Sequence, residues 1–172
     1  MGLNRLMIMK LGSTISIDDF VAYIERSITT LENNRIDAVG DNAFNSCSKL
    51  TKISLPNTTK IGYGAFISCS RLSDISVPNV TSIGDNAFYK CTQLSDVAFP
   101  GATNIGKRAF YYCSKLKTVS LPSTTKIESD TFSGCSNLTE IHFSLNNKDT
   151  IENLGGYASK FGAANATIYF DL

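Results

Sequence analysis

Apolar and polar positions along this chain recur with a period of 22 residues that never slips. Each block opens on Val39, Ile61, Ile83, Ile105 or Ile127, and glycine follows in four of the five (Gly40, Gly62, Gly84, Gly106), with Glu128 in the last. Next comes a small residue (Ala43, Ala65, Ala87, Ala109, Thr131) and then Phe44, Phe66, Phe88, Phe110 or Phe132. Three residues later stand Cys47, Cys69, Cys91, Cys113 and Cys135, and three further on Leu50, Leu72, Leu94, Leu116 and Leu138. Each block closes on an alternating triplet, as in Ile53-Ser54-Leu55 or Ile75-Ser76-Val77, ended by Pro56, Pro78, Pro100 or Pro122 and finally by Ser144.

The alternating triplet predicts a strand with its two apolar residues on one face. Proline stops it because it has no N–H for a ladder. The Ala-Phe-x-x-Cys-x-x-Leu spacing is helical and predicts a short helical turn with one inward stripe. The glycine marks a turn that needs either a positive φ or a close approach. One strand and one helical turn per block, repeated in register, predict an α/β repeat solenoid of right-handed leucine-rich-repeat type, with a parallel sheet along one side. Each inward side chain then stacks on its copy ~4.8 Å away.

An open solenoid needs caps. Residues 1–36 are read as an N-terminal helical cap, 37–143 as five repeats and 144–172 as a helix-strand cap, all within a single domain. Ile17, Phe20, Val21, Ile24, Ile28 and Leu31 have helical spacing across 16–33. Ser16 is the candidate N-cap and Asn33-Asn34 the stop. Leu6 to Leu11 is a candidate extra strand. At the other end, Lys148–Phe161 reads as a helix weakened by Gly155-Gly156. A strand over Ala166–Phe170 follows, with Ile168 and Phe170 echoing Ile141 and Phe143 at an offset of 27. With both caps in place the array reads as complete.

Strings such as IGYGAFISCSRLSDISVP and IGDNAFYKCTQLSDVAFP resemble the BspA-type leucine-rich repeat, whose pattern is Ile-Gly-x-x-Ala-Phe-x-x-Cys-x-x-Leu-x-x-Ile-x-Ile-Pro. The resemblance covers about residues 36–143, with Glu128, Thr131 and Ser144 departing in the last block. It implies a curved solenoid used for adhesion or protein binding, commonly on bacterial surfaces. Similar arrays in phage and prophage proteins supply the alternative, a particle-associated structural or host-attachment component. The partner implied is a protein or a surface glycan.

Composition narrows the chemistry. With 16 Lys+Arg against 15 Asp+Glu the net charge is +1, and no basic stripe is expected, so nucleic-acid binding has no support. No stretch approaches the ~20 apolar residues of a membrane-spanning helix. Leu6-Met7-Ile8-Met9 is too short for the apolar region of a signal peptide, which leaves either no leader or one already removed. Phosphate-loop and dinucleotide motifs are lacking, and no cofactor is expected.

The five cysteines, each 22 residues from the next inside an apolar stripe, read as a buried thiol ladder rather than a zinc or disulfide framework. No metal site is expected. His142, the only histidine, reads as a solvated residue on the last regular strand.

Two surfaces are candidates for binding. The first is the outward strand face, with Lys52, Asp74, Asp96, Thr118 and Glu140 in one column and His142 closing the next. Asp74 and Asp96 would stack ~5 Å apart on neighbouring strands. That separation formally suits a retaining glycosidase, but nothing else around the pair suggests a cleft or sugar platform, so catalysis is the least favoured reading. The second is the column Ile67, Tyr89, Tyr111, broadened by Tyr112. It is either an interface, including one for self-association, or a set of tyrosines packed along the turns with only their hydroxyls wet.

Overall fold

The computed structural model describes residues 28–152 and 161–172. Every block forms one turn of a parallel-strand solenoid of about five turns. One side carries the strands β1 (Thr30–Glu32), β3 (Lys52–Ser54), β5 (Asp74–Ser76), β7 (Asp96–Ala98), β9 (Thr118–Ser120) and β11 (Glu140–Ser144). A second side carries the two-residue strands β2 (Ala38–Val39), β4 (Lys60–Ile61), β6 (Ser82–Ile83), β8 (Asn104–Ile105) and β10 (Lys126–Ile127). A short 3-10 turn (Leu145–Asn147), helix α1 (Lys148–Glu152) and strand β12 (Thr167–Asp171) follow.

The sequence pointed to the first set of strands and missed the second. The second set forms a continuous five-stranded parallel sheet, β2-β4-β6-β8-β10. The first is split into β1-β3-β5 and β7-β9-β11-β12, with no pairing between β5 and β7.

The predicted helical turns are replaced by tight turns. Within each block the i→i−3 bonds form, as in Cys47 N to Phe44 O (3.2 Å) and Leu50 N to Cys47 O (3.0 Å). Helix propagation stops because two residues per block are left-handed, a conformation that breaks an α-helix. One column is Asn42, Gly64, Asn86, Arg108 and Asp130, and the other is Ser46, Ser68, Lys90, Tyr112 and Gly134. The left-handed residue aims its N–H at the next turn, as in Ser46 N to Ile67 O (2.6 Å) and Ser68 N to Tyr89 O (2.7 Å). Bonds between turns thus replace bonds along a helix axis.

Inside, Phe44, Phe66, Phe88 and Phe110 stack with centroids 5.3 Å apart, and Phe132 follows at 5.6 Å. The thiols of Cys69, Cys91 and Cys113 each donate at 3.1 Å to the carbonyl of Phe44, Phe66 and Phe88 in the preceding turn. Cys135 repeats the bond to Phe110 at 2.9 Å. Thr58 and Thr124, buried without exposure, reach back in the same way to Ile36 and Ala102.

Close approach, rather than a positive φ, explains the glycine column. A Cβ on Gly84 would lie 2.7 Å from the Gly62 carbonyl carbon, and one on Gly106 would lie 2.5 Å from both Asp85 N and Gly84 C. Where Glu128 takes the place of glycine the turns stand wider. Arg108 N to Ser129 O is 3.3 Å, against 2.7–2.9 Å for Asn42 N to Tyr63 O, Gly64 N to Asp85 O and Asn86 N to Lys107 O.

The caps differ from expectation. Most of the N-terminal helix expected over 16–33, and the strand expected over Leu6–Leu11, lie outside the described residues. Within them Thr30–Glu32 is a strand, with Leu31 buried and paired with Ile53. Leu31 stands 22 residues before Ile53, so the apolar strand column simply begins one turn earlier. Of the second helix only Lys148–Glu152 is described as helical, with Ile151 buried, while Leu154 and Ala158 lie outside the described residues. Phe161 sits buried in a turn and its carbonyl accepts the Phe132 N–H at 2.7 Å. The final strand is as expected, with Ile168 paired to Ile141 and Phe170 to Phe143.

Candidate binding surfaces

On the strand face, Lys52 lies between two acids, 3.1 Å from Glu32 and 3.9 Å from Asp74. The hydrogen bond to Glu32, then the charges of Glu32 and Asp74, raise its amine above the ordinary lysine value. Asp74 has Lys52 as its register partner, and Asp96 has Thr118. The ladder stops between β5 and β7, so Asp74 and Asp96 are not partners on adjacent hydrogen-bonded strands. The two carboxylates are therefore not held at paired positions of one sheet, as the expected stack requires.

Thr118 and Glu140 continue the column in register. His142 is not the loose solvated residue expected. Its Nδ1 lies 2.8 Å from Asp171 and its Nε2 3.4 Å from Glu140. Its ring stacks on Tyr169 at 4.8 Å and 13°. Tyr169 and Asp171 were overlooked in the sequence, although the 27-residue offset already sets Tyr169 beside His142.

The turn side follows from the left-handed columns. Ile67, Tyr89 and Tyr111 stack in one half-buried line, with the Tyr89 and Tyr111 rings 5.3 Å apart and 6° from parallel. This is the packed arrangement, in which each ring covers its neighbour. Tyr112 is different, because its φ of 57° swings it outward to 48 % exposure. It meets the Tyr111 ring edge-on at 4.6 Å. Gly134 leaves it room, since a Cβ there would lie 2.7 Å from the Tyr112 ring. Lys90 lies over Tyr89 at 5.3 Å and Arg108 over Tyr111 at 5.4 Å, both cation–π contacts. Tyr63, also 48 % exposed, was missed. Its N–H is held by Asp41 Oδ1 at 2.7 Å.

Burial pushes the Cys69, Cys91 and Cys113 thiols well above the ordinary thiol range. A neutral buried thiol is a poor nucleophile and a poor metal ligand. No helix among the described residues is long and apolar enough to cross a membrane.

The model of the BspA-type leucine-rich repeat region matches residues 59–158 in six copies. The chain belongs to that family. Among solved structures, this leucine-rich repeat is similar to the leucine-rich repeat protein TpLRR of T. pallidum. The identity is 29 % and the TM-score 0.66, over 80 % of this chain and 64 % of that one. It is also similar to a leucine-rich cell surface protein of Faecalibacterium prausnitzii, at 29 % identity and TM-score 0.69, over 77 % of this chain and 37 % of the other. A leucine-rich repeat protein of Bacteroides ovatus matches at 26 % identity and TM-score 0.68, over 83 % and 36 %. The repeat thus spans between about a third and just under two thirds of the length of these structures. No curated protein sequence matches it.

Proposed function

We propose that this leucine-rich repeat is a non-enzymatic binding module of the adhesion type that meets a protein partner through its tyrosine-bearing turns. The observation that carries this reading is Tyr112. The left-handed conformation is the one every block adopts at this position, and at Tyr112 alone it carries a large aromatic ring. Here it holds an amphipathic ring outward beside Tyr111, Lys90 and Arg108. Tyrosine and arginine are the residues that dominate binding hot spots. The cell-surface description of the Faecalibacterium prausnitzii structure supports an outward-facing role.

Binding to immobilised extracellular-matrix glycoproteins tests the reading. Tyr112→Ser and the double variant Tyr89→Ser/Tyr111→Ser should each weaken capture by about tenfold or more, with the Tyr112→Ser melting temperature unchanged. Capture that survives both substitutions removes the tyrosine turns as the binding surface.

A further inference from the structure

Winding the chain gathers cations that the linear sequence scatters. The segments 45–51, 67–73, 89–95, 111–117 and 133–139 carry Lys49, Arg71, Lys90, Lys115 and Lys117, and neither Asp nor Glu. All five of these side chains are exposed. The segments lie on one edge of the solenoid, where the turns pass into the strand face. Their register is fixed by Ser68 N to Tyr89 O at 2.7 Å and Lys117 N to Ser95 O at 2.7 Å. Thr92 Oγ1 donates to Ser70 O at 3.2 Å, and Lys115 Nζ donates to Gln93 Oε1 at 2.7 Å.

Acids are plentiful on either side of this edge. Elsewhere the described cations are partly neutralised, Lys52 by Glu32, Arg108 by Asp130 and Lys126 by Glu128. None of the five edge cations forms an ion pair among the described residues. A protein of net charge +1 therefore carries a stripe of one sign, running along the solenoid axis with a step of ~4.8 Å per turn.

We propose that this edge binds an anionic polysaccharide, a polymer of uronate or sulfated sugars laid along the axis across successive turns. The proposal rests on the binding-module reading above and names a second partner surface next to the tyrosines. Charge complementarity supplies attraction and alignment. Ser48, Ser70 and Ser136 are exposed in the same segments, between the Lys49–Arg71–Lys115 column and that of Lys90, and add hydroxyls that can bond a sugar. A single-stranded nucleic acid fits less well because successive bases need a row of free aromatic faces, whereas Tyr89 and Tyr111 cover each other and Tyr112 alone stands outward on this edge. An acidic peptide would gain most from an open strand edge, which these turns do not present.

The test uses the full chain against immobilised polygalacturonate, with neutral dextran, poly-glutamate and a thymidine oligonucleotide alongside. Lys49→Gln/Arg71→Gln/Lys115→Gln removes three stripe charges. Lys60→Gln/Lys107→Gln/Lys126→Gln removes the same charge elsewhere. The parent should bind polygalacturonate at about 50 mM salt and weaken as salt rises, as counter-ion release requires. The stripe variant should lose about tenfold or more and show a shallower salt dependence, with the second triple variant within about twofold of the parent. Equal loss in both triples, no binding to polygalacturonate, or equally tight binding to poly-glutamate or the oligonucleotide overturns the proposal. Glycoprotein capture sensitive to Tyr112→Ser without polygalacturonate binding removes the stripe alone, and absence of both removes the module reading as well.

Discussion

The two sheets enclose the same core, yet one is continuous and the other is broken. Along β2-β4-β6-β8-β10 the backbone ladder is doubled by side chains. Thr59, Thr81 and Thr103 each donate to the carbonyl one turn back at 3.1 Å, and Asp41 and Asp85 hold the N–H groups of Tyr63 and Lys107. On the other side the pairing lapses between β5 and β7, where both strands open with an aspartate. Like charges at matching positions oppose close pairing. Ile75 beside the gap is only half-buried, while Ile53, Val97 and Val119 in the same column are buried. A uniform interior therefore does not impose a uniform exterior. Local side-chain columns decide whether a given face zips shut.

The continuous sheet breaks most easily at its glycines. Gly106→Ala should cost about 3 kcal/mol, because the new methyl group meets backbone atoms at 2.5 Å. Urea denaturation gives the value, and a loss under ~1 kcal/mol would mean that the turns separate as freely there as at Glu128. The broken sheet is probed by amide exchange. The N–H groups of Ile75, Val77 and Ala98 should exchange about tenfold or more faster than those of Ile61, Ile83 and Ile105, and Asp96→Thr, which copies Thr118, should narrow the difference. Equal rates on the two sides would show that the lapse has no energetic consequence. The smallest effect lies in the turns between the sheets. Ser68, left-handed at φ 58°, should gain about 0.5 kcal/mol on replacement by glycine, read as a small rise in the denaturation midpoint.

Much of the fold was legible because the core residues are both apolar and periodic. Phe44 through Phe132, the thiols and the register of Ile168 and Phe170 could be read directly. The second sheet was hidden because two-residue strands such as Ser82-Ile83 are too short for alternation to register. The tight turns were hidden because the left-handed columns mix Asn, Gly, Arg and Asp with Ser, Lys and Tyr, and only some of these types advertise a positive φ. The candidate surfaces were only half legible. The tyrosine column followed from counting, but the outward swing of Tyr112 and the anchoring of His142 by Asp171 depend on backbone geometry. The cation stripe joins residues about 22 apart, so no local window contains it.

Among the described residues the side-chain bonds to backbone carbonyls of another turn all run one way, whereas the His142 ring reaches the opposite way to Asp171. Thr58 to Ile36, Asn79 to Pro56, Cys91 to Phe66 and Asn147 to Pro122 each place the donor on the later turn and the acceptor on the earlier one. A chain folding from its N-terminal side would therefore present groups such as the Thr58 hydroxyl, the Asn79 amide and the Cys91 thiol to carbonyls already in place. Shortening the array has correspondingly unequal consequences at its two ends. Loss of turns from the C-terminal side strands backbone N–H groups such as those of Phe66 and Phe88, whose acceptors lie on the later turn, while loss from the N-terminal side strands side-chain donors such as Thr58 and Cys69. The two directions of shortening thus expose different groups, hydroxyls and thiols in one case and backbone N–H groups in the other.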